Sequence, residues 1–276
     1  MLLRIATAVF MVALTAVARA TPEADTVVEA TALNPEIIAA VRQARAAASA
    51  AREAGQAARA NEAQVLAAAE RGRAAARKAR ALEGPGRLRL AFPQGERYEG
   101  EVLDGKRHGL GVLEFRDGSR YEGQWRADQS TGAGVYFLPD GRQYQGDFVA
   151  NKAEGLGVFH LAYRHRYLGE FRKDVAAGLG MYSLPDGQVY LGQFSGDEAQ
   201  GVGVYVMAGG ERYEGETWAN QRNGYGIHTW PNGDRYEGML KDGTMDGPGA
   251  RFLAGGAVQQ GLWRGNKLVK ALAPAL

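Results

Sequence analysis

The chain has 276 residues, with 33 lysines and arginines against 31 aspartates and glutamates and a net charge of +2, too near neutral to point to nucleic acid or to an acidic substrate as partner. It contains no cysteine, which excludes disulfides, thiolate nucleophiles, zinc–thiolate sites and attachment through a lipidated cysteine. Of its 39 glycines only Gly55 and Gly72 precede Gly84, so composition divides the chain there into a glycine-poor front and a turn-rich remainder.

Residues 1–20 read as an export signal. Met1-Leu2-Leu3-Arg4 is a short basic start, Ile5 to Ala18 is an apolar run, and Ala18-Arg19-Ala20 is a small-x-small site, so cleavage after Ala20 and a periplasmic or secreted protein are expected. The apolar run is shorter than the about 20 residues that span a bilayer. A polar linker, 21–34, follows, with Asn34 placed to cap a helix that begins at Pro35. From there to Glu83 the chain is mainly Ala, Arg, Glu and Gln, which predicts a long helix over 35–83, stopped by Gly84-Pro85-Gly86. Ile37, Ala44, Ala51, Ala58, Val65, Gly72 and Ala79 share one heptad position, and a thin apolar seam of this kind suits either a coiled coil or a helix-packing face. A second heptad line, Arg45, Arg52, Arg59, Arg73 and Arg80, is broken by Leu66; it is a candidate basic face for acidic protein or anionic lipid, or simply a solvated face.

From Tyr98 the chain counts in steps of 23: Tyr98, Tyr121, Tyr144, Tyr167, Tyr190, Tyr213 and Tyr236 each open a unit of the same length. Within a unit, two strand-like runs alternate with two turn-like runs, the second marked by Pro139-Asp140-Gly141, Pro185-Asp186-Gly187 or Pro231-Asn232-Gly233. Each unit is therefore a β-hairpin, and the fold class is mainly β: an elongated single-layer antiparallel meander of seven hairpins over 84–268, preceded by the Ala-rich helix and followed by a short tail, 269–276. Strand alternation puts the tyrosine of position one, the glycine of position three and the residue of position five on one face, and positions two and four on the other. The first face carries Tyr98, Tyr121, Trp125, Tyr144, Phe148, Tyr167, Phe171, Tyr190, Phe194, Tyr213 and Tyr236; the second carries Glu99, Glu101, Glu122, Asp147, Glu170, Glu214, Glu216 and Glu237.

Tyr-Glu-Gly-Glu-Trp/Phe, a polar turn, Gly-x-Gly and Pro-Asp-Gly at this period resemble the MORN repeat (membrane occupation and recognition nexus), over about Tyr98 to Lys267 with half-units at both ends. The resemblance implies a single-layer sheet that acts as an interaction or dimerisation module, with phospholipid association proposed for some members and any enzymatic activity held in an appended domain. One unit departs from the pattern: Tyr163-Arg164-His165-Arg166 stands where Pro-Asp-Gly is expected, which predicts a kink or an altered loop.

Chemistry is hard to place on such an array. His160 and His165 fall on opposite faces of a strand and His108 and His228 in different units, so no metal site is expected. The carboxylates recur as part of the repeat without a pocket of their own. The expectation is a non-enzymatic protein with no cofactor, no catalytic residue and no nucleic-acid partner. Its partner is a protein or a second copy of itself, with anionic phospholipid or an envelope polysaccharide as alternatives, the latter through the aromatic line, whose rings otherwise fill the only core so thin a sheet has. One dimension sharpens the picture. A heptad advances a helix by about 10.5 Å and a hairpin advances a sheet by about 9.6 Å, so the helix is expected to lie along the sheet and cover one face.

Overall fold

The computed structural model describes residues 33–84 and 86–273; the expected export signal and the linker before Leu33 lie outside them. Helix α1 (Pro35–Ala60) begins where the sequence places it, with the Asn34 side chain accepting the Glu36 amide at 2.9 Å. Helix α2 (Glu62–Arg80) follows, and Asn61 before it keeps helical dihedrals (φ −75°, ψ −13°). The helical segment ends at Arg80, short of the expected Glu83.

Two compact units make up the described chain. The unit of residues 58–185 holds α2 and the strands β1 (Arg87–Ala91), β2 (Arg97–Leu103), β3 (Lys106–Glu114), β4 (Arg120–Arg126), β5 (Gln129–Phe137), β6 (Gln143–Val149), β7 (Lys152–His160), β8 (Arg166–Arg172) and β9 (Val175–Ser183). Each pairs antiparallel with the next. The unit of residues 33–57 with 186–273 holds the part of α1 up to Ala57 and the strands β10 (Val189–Ser195), β11 (Glu198–Val206), β12 (Arg212–Trp218), β13 (Gln221–Thr229), β14 (Arg235–Lys241), β15 (Thr244–Phe252), β16 (Val258–Arg264) and β17 (Lys267–Ala271). These form the same antiparallel meander. The half-repeat expected before Tyr98 is present as β1, and the last strand runs to Ala271, past the expected boundary at 268.

The register explains the paired glycines. Gly100 stands opposite Gly111, Gly123 opposite Gly134 and Gly146 opposite Gly157, and the pairing slips just beyond them in a bulge. The position-one tyrosine lies across each glycine pair: a Cβ on Gly123 would fall 2.6 Å from both Gly134 Cα and the Tyr121 hydroxyl. That hydroxyl donates to the backbone oxygen three residues on, at 2.7–3.1 Å in all seven repeats. Successive hairpins are also tied turn to turn. The Asn151 side chain accepts the Ser130 amide while the Asn151 amide donates to the Ser130 oxygen, and Asp128, Asp174, Asn220 and Asn266 repeat the exchange. In the departing unit, Ala162–Arg164 forms a 3₁₀ turn with Tyr163 (φ 57°) and Arg164 (φ 62°) left-handed, the altered loop the sequence predicts.

The helical segment lies on the sheet face that carries positions two and four. In the first unit α2 packs across β3 to β8, with Val65 and Ala69 against Val158 and Leu168. In the second, Ile37 and Val41 pack against Ala250 and Val258. All seven residues of the apolar seam are buried, so the sheet, and not a second helix as in a coiled coil, is what the seam meets. At Gly72 the helix and sheet backbones lie close together: a Cβ there would lie 2.5 Å from the Gly134 carbonyl oxygen.

Candidate interaction surface

The aromatic line is not a groove. Tyr98, Tyr121, Trp125, Tyr144, Phe148, Tyr167, Phe171, Tyr190, Phe194, Tyr213 and Tyr236 are each exposed by 4% or less. In the first unit the rings form one edge-to-face ladder, Tyr98–Trp125–Tyr121–Phe148–Tyr144–Phe171–Tyr167, with centroids 4.8–5.6 Å apart. Contacts of this kind add to the burial of the rings themselves. Burial pushes the Tyr98, Tyr121 and Tyr144 phenols well above their ordinary range. Of the two readings of this line, the candidate interaction surface is therefore corrected and the core reading stands: the rings of one repeat cover the glycines and rings of the next.

The arginine line is not a free face either. Arg45 pairs with Glu237 at 2.5 Å and Arg52 with Glu214 at 2.5 Å, within the second unit. In the first unit Arg73 donates to Gln145 at 2.6 Å and Arg80 pairs with Glu122 at 3.3 Å. All four partners occupy position two of a repeat. Seven residues of helix thus match 23 residues of sheet, and the acidic protein that the line was expected to meet is the chain's own sheet. Arg59 makes no ion pair among the described residues. The three glutamates among these partners are each also held by an arginine of their own strand, Arg120 for Glu122, Arg212 for Glu214 and Arg235 for Glu237. Burial nevertheless raises Glu122, ahead of the opposing pull of Arg120 and Arg80. Position four has a separate duty: Glu101, Gln124, Glu170, Gln193 and Glu216 accept the amides of Leu110, Ala133, Leu179, Val202 and Tyr225 in the following strand.

What remains outside is a different set. Position six carries Leu103, Val149 and Trp218, exposed by 54%, 56% and 60%, and in other repeats Arg126, Arg172, Lys241 and Arg264. Tyr163, in the altered loop, is exposed by 88%. Sequence alternation puts the position-six residues on the face opposite the rings but gives no signal that they stay uncovered. That signal lies in their failure to recur.

Seven segments, 98–120, 121–141, 144–162, 167–189, 190–212, 213–235 and 236–256, match the MORN repeat, more than half of the 276 residues. The chain belongs to the MORN-repeat family. No curated protein matches it. Among solved structures it is similar to the TCP domain of SAS-4 (dCPAP) of Drosophila melanogaster, in complex with a proline-rich motif of Ana2 (dSTIL), at 9% identity and a TM-score of 0.36 over 66% of this chain and 93% of that one. It is also similar to the TCP10 domain of Danio rerio CPAP, in complex with a peptide of STIL, at 16% identity and a TM-score of 0.35 over 70% of this chain and 97% of that one.

Against the MORN pattern, the second unit shows two departures. Inside, Arg222 and His228 stand where most repeats carry a small residue and a ring: an Arg222 guanidinium nitrogen lies 2.8 Å from His228 Nδ1, and His228 Nε2 lies 3.0 Å from Glu211. Arginine can only donate, so Nδ1 accepts and Nε2 carries the proton to Glu211. Burial holds His228 below its ordinary value of 6.5, and its ring stacks on Trp230 at 4.4 Å. Outside, Met239 and Leu262 replace the polar residue of position four. In the first unit Leu113 stands where other repeats carry a ring, beside a 110 Å³ cavity that Glu96, Arg107 and Asp128 help to line. The Arg107 guanidinium lies 4.5 Å over Trp125 and is held by Asp128 at 3.2 Å, so two of the cavity's three charged groups answer each other.

Proposed function

We propose that this MORN-repeat protein is an exported, non-enzymatic interaction or scaffold protein whose array presents a rigid protein-binding surface. One observation carries the reading: nearly every residue that recurs has a partner within the chain. The tyrosines bond to the backbone, the position-four carboxylates and amides cap the next strand, and the position-two acids hold the helix. Recognition then belongs to exposed residues that differ between repeats, among them Leu103, Val149 and Trp218. Export rests on the first twenty residues alone, which have the composition of a cleavable signal.

A second reading, association with an anionic membrane surface, is favoured by the cations Arg126, Arg172, Lys241 and Arg264 that share position six with those apolar residues. Polysaccharide stacking loses its basis, because the rings it needs are buried. The test uses the full chain as bait against envelope extracts, beside variants Val149→Glu and Trp218→Ala. The protein-binding reading predicts one defined partner, lost in the variants while the thermal midpoint stays put. Cosedimentation with anionic vesicles that weakens with salt, without a protein partner, would replace it with the membrane reading.

A further inference from the structure

The cavity beside Leu113 repeats, with one substitution, the buried cluster around His228. Glu96, Arg107, Leu113 and Phe115 stand five repeats ahead of Glu211, Arg222, His228 and Trp230, in the same register positions. Three of the four keep their chemistry: an acid, an arginine and an aromatic ring. Only the histidine is exchanged, for leucine. The arginines are also anchored alike, for Arg222 Nη2 donates to the Gly243 oxygen at 2.7 Å and Arg107 Nη2 to the Asp128 oxygen at 3.0 Å, again five repeats apart.

The exchange leaves two polar groups unanswered. Arg222 Nη1 donates to His228 Nδ1, and His228 Nε2 donates to Glu211, whereas leucine can do neither. Arg107 Nη1 and the Glu96 carboxylate have no hydrogen-bond partner among the described residues, and both residues line the cavity with Phe115 and Trp125. Elsewhere the residue in the register position of Glu96 is answered by the side chain 17 residues on: Ser119 by Tyr136 at 2.9 Å, His165 by Tyr182 at 2.7 Å and Asp234 by Arg251 at 2.9 Å. An acid there is thus met by an imidazole or a guanidinium, and Glu96 is met by neither.

Arg107 decides which group the cavity accepts. Its guanidinium is fixed, 4.5 Å over the Trp125 ring and held by Asp128 at 3.2 Å. A second guanidinium or an ammonium would meet its like charge, and a carboxylate would meet Glu96. A neutral imidazole suits both, because one nitrogen accepts and the other donates, and Phe115 offers its face as Trp230 does to His228 at 4.4 Å. The volume of 110 Å³ equals that of roughly four waters at about 30 Å³ each, room for a five-membered ring. Glu96, Arg107 and Phe115 are half-buried, so the ring can enter between them. We propose that this cavity binds a neutral imidazole ring, with Arg107 donating to one nitrogen, Glu96 accepting from the other and Phe115 against its face. The ring belongs to a histidine side chain of a partner or to a free azole. This goes beyond the interaction role proposed above and stands or falls separately from it.

The isotope-labelled full chain is titrated with 4-methylimidazole and followed by NMR at the Trp125 indole N–H, which donates to the Gly111 oxygen at 3.2 Å. A saturable shift with a Kd of about a millimolar or tighter is expected. Affinity should fall at least about tenfold in Glu96→Ala, and as much for 1-methylimidazole, which has the same atoms but no N–H to give to Glu96. Leu113→His should rebuild the cluster within the chain and abolish the shift, and Leu113→Tyr, which introduces the ring of the next repeat, should do the same. A thermal midpoint no lower than the parent's shows that the cavity is filled and the fold intact. No saturable shift, equal affinity for the two methylimidazoles, or an unchanged shift in a folded Leu113 variant would overturn the proposal. The blocked peptide acetyl-Gly-His-Gly-amide separates the sources: affinity comparable to 4-methylimidazole assigns the site to a histidine side chain, and exclusion of the peptide assigns it to a free azole. Capture of a partner from the envelope is not read by this titration, so either result leaves that reading to its own test.

Discussion

The two units use one period to different ends. In the first, the ring ladder is unbroken from Tyr98 to Tyr167 and position four is polar in every repeat. In the second, Thr217 and Leu240 hold position five in two repeats, Thr217 Oγ1 lies 3.2 Å from the Tyr190 hydroxyl, and Arg222, His228 and Glu211 form a hydrogen-bonded cluster where most repeats pair a small residue with a ring. On the outer face the exchange runs the other way, with Met239 and Leu262 where carboxylates or amides are the rule. The first unit therefore keeps position four polar over an unbroken ring ladder, whereas the second interrupts its rings with a buried polar cluster and turns position four apolar in two repeats. A fixed repeat length sets the backbone geometry, and departures at single positions decide whether a repeat is only structural.

Breaking the ladder should have the largest effect. Tyr144 touches Phe148 and Phe171 at 5.1 and 4.8 Å, so Tyr144→Ala should cost about 3–5 kcal/mol, read by urea unfolding. Gly72→Leu comes next: the Gly134 carbonyl blocks a side chain there, and a loss of about 1–3 kcal/mol is expected although leucine is the better helix former. The buried polar cluster separates the units by pH. His228 is held below 6.5 by burial, so its contribution to stability is complete above that value and is lost as pH falls through the lowered one, where a proton on Nδ1 displaces Arg222. His228→Gln should remove that acid-side loss, seen as a flatter dependence of the unfolding midpoint on pH below 6.5. The smallest effects belong to the helix arginines. Arg80→Ala leaves Glu122 with Arg120 and should cost about 1 kcal/mol, against about 0.5 kcal/mol or less for Arg59→Ala, compared by thermal unfolding.

Much of this was legible in the residues. Tyr98 to Tyr236 at a constant step announce the hairpins, Pro139-Asp140-Gly141 and its relatives announce the turns, and the near equality of heptad advance and hairpin advance places the helix along the sheet. The arginine line could be seen and the position-two acids could be seen, but only the register shows that one meets the other. The burial of the aromatic line was legible only as one of two readings, because it arises from contact between successive repeats, as where the Trp125 ring packs between Tyr98 and Tyr121. Alternation assigns a ring to a face and cannot say what covers it. Nor does any motif mark the His228 cluster, whose members Glu211, Arg222 and His228 come from adjoining strands and their turns and meet only once the strands pair.

The match of one heptad to one repeat is most directly tested by a double-mutant cycle on Arg52 and Glu214, with Arg45 and Glu214 as the out-of-register comparison. A coupling of about 1 kcal/mol or more for the first pair and about zero for the second is predicted; equal couplings, or none for Arg52 with Glu214, would contradict a helix seated in register on the sheet.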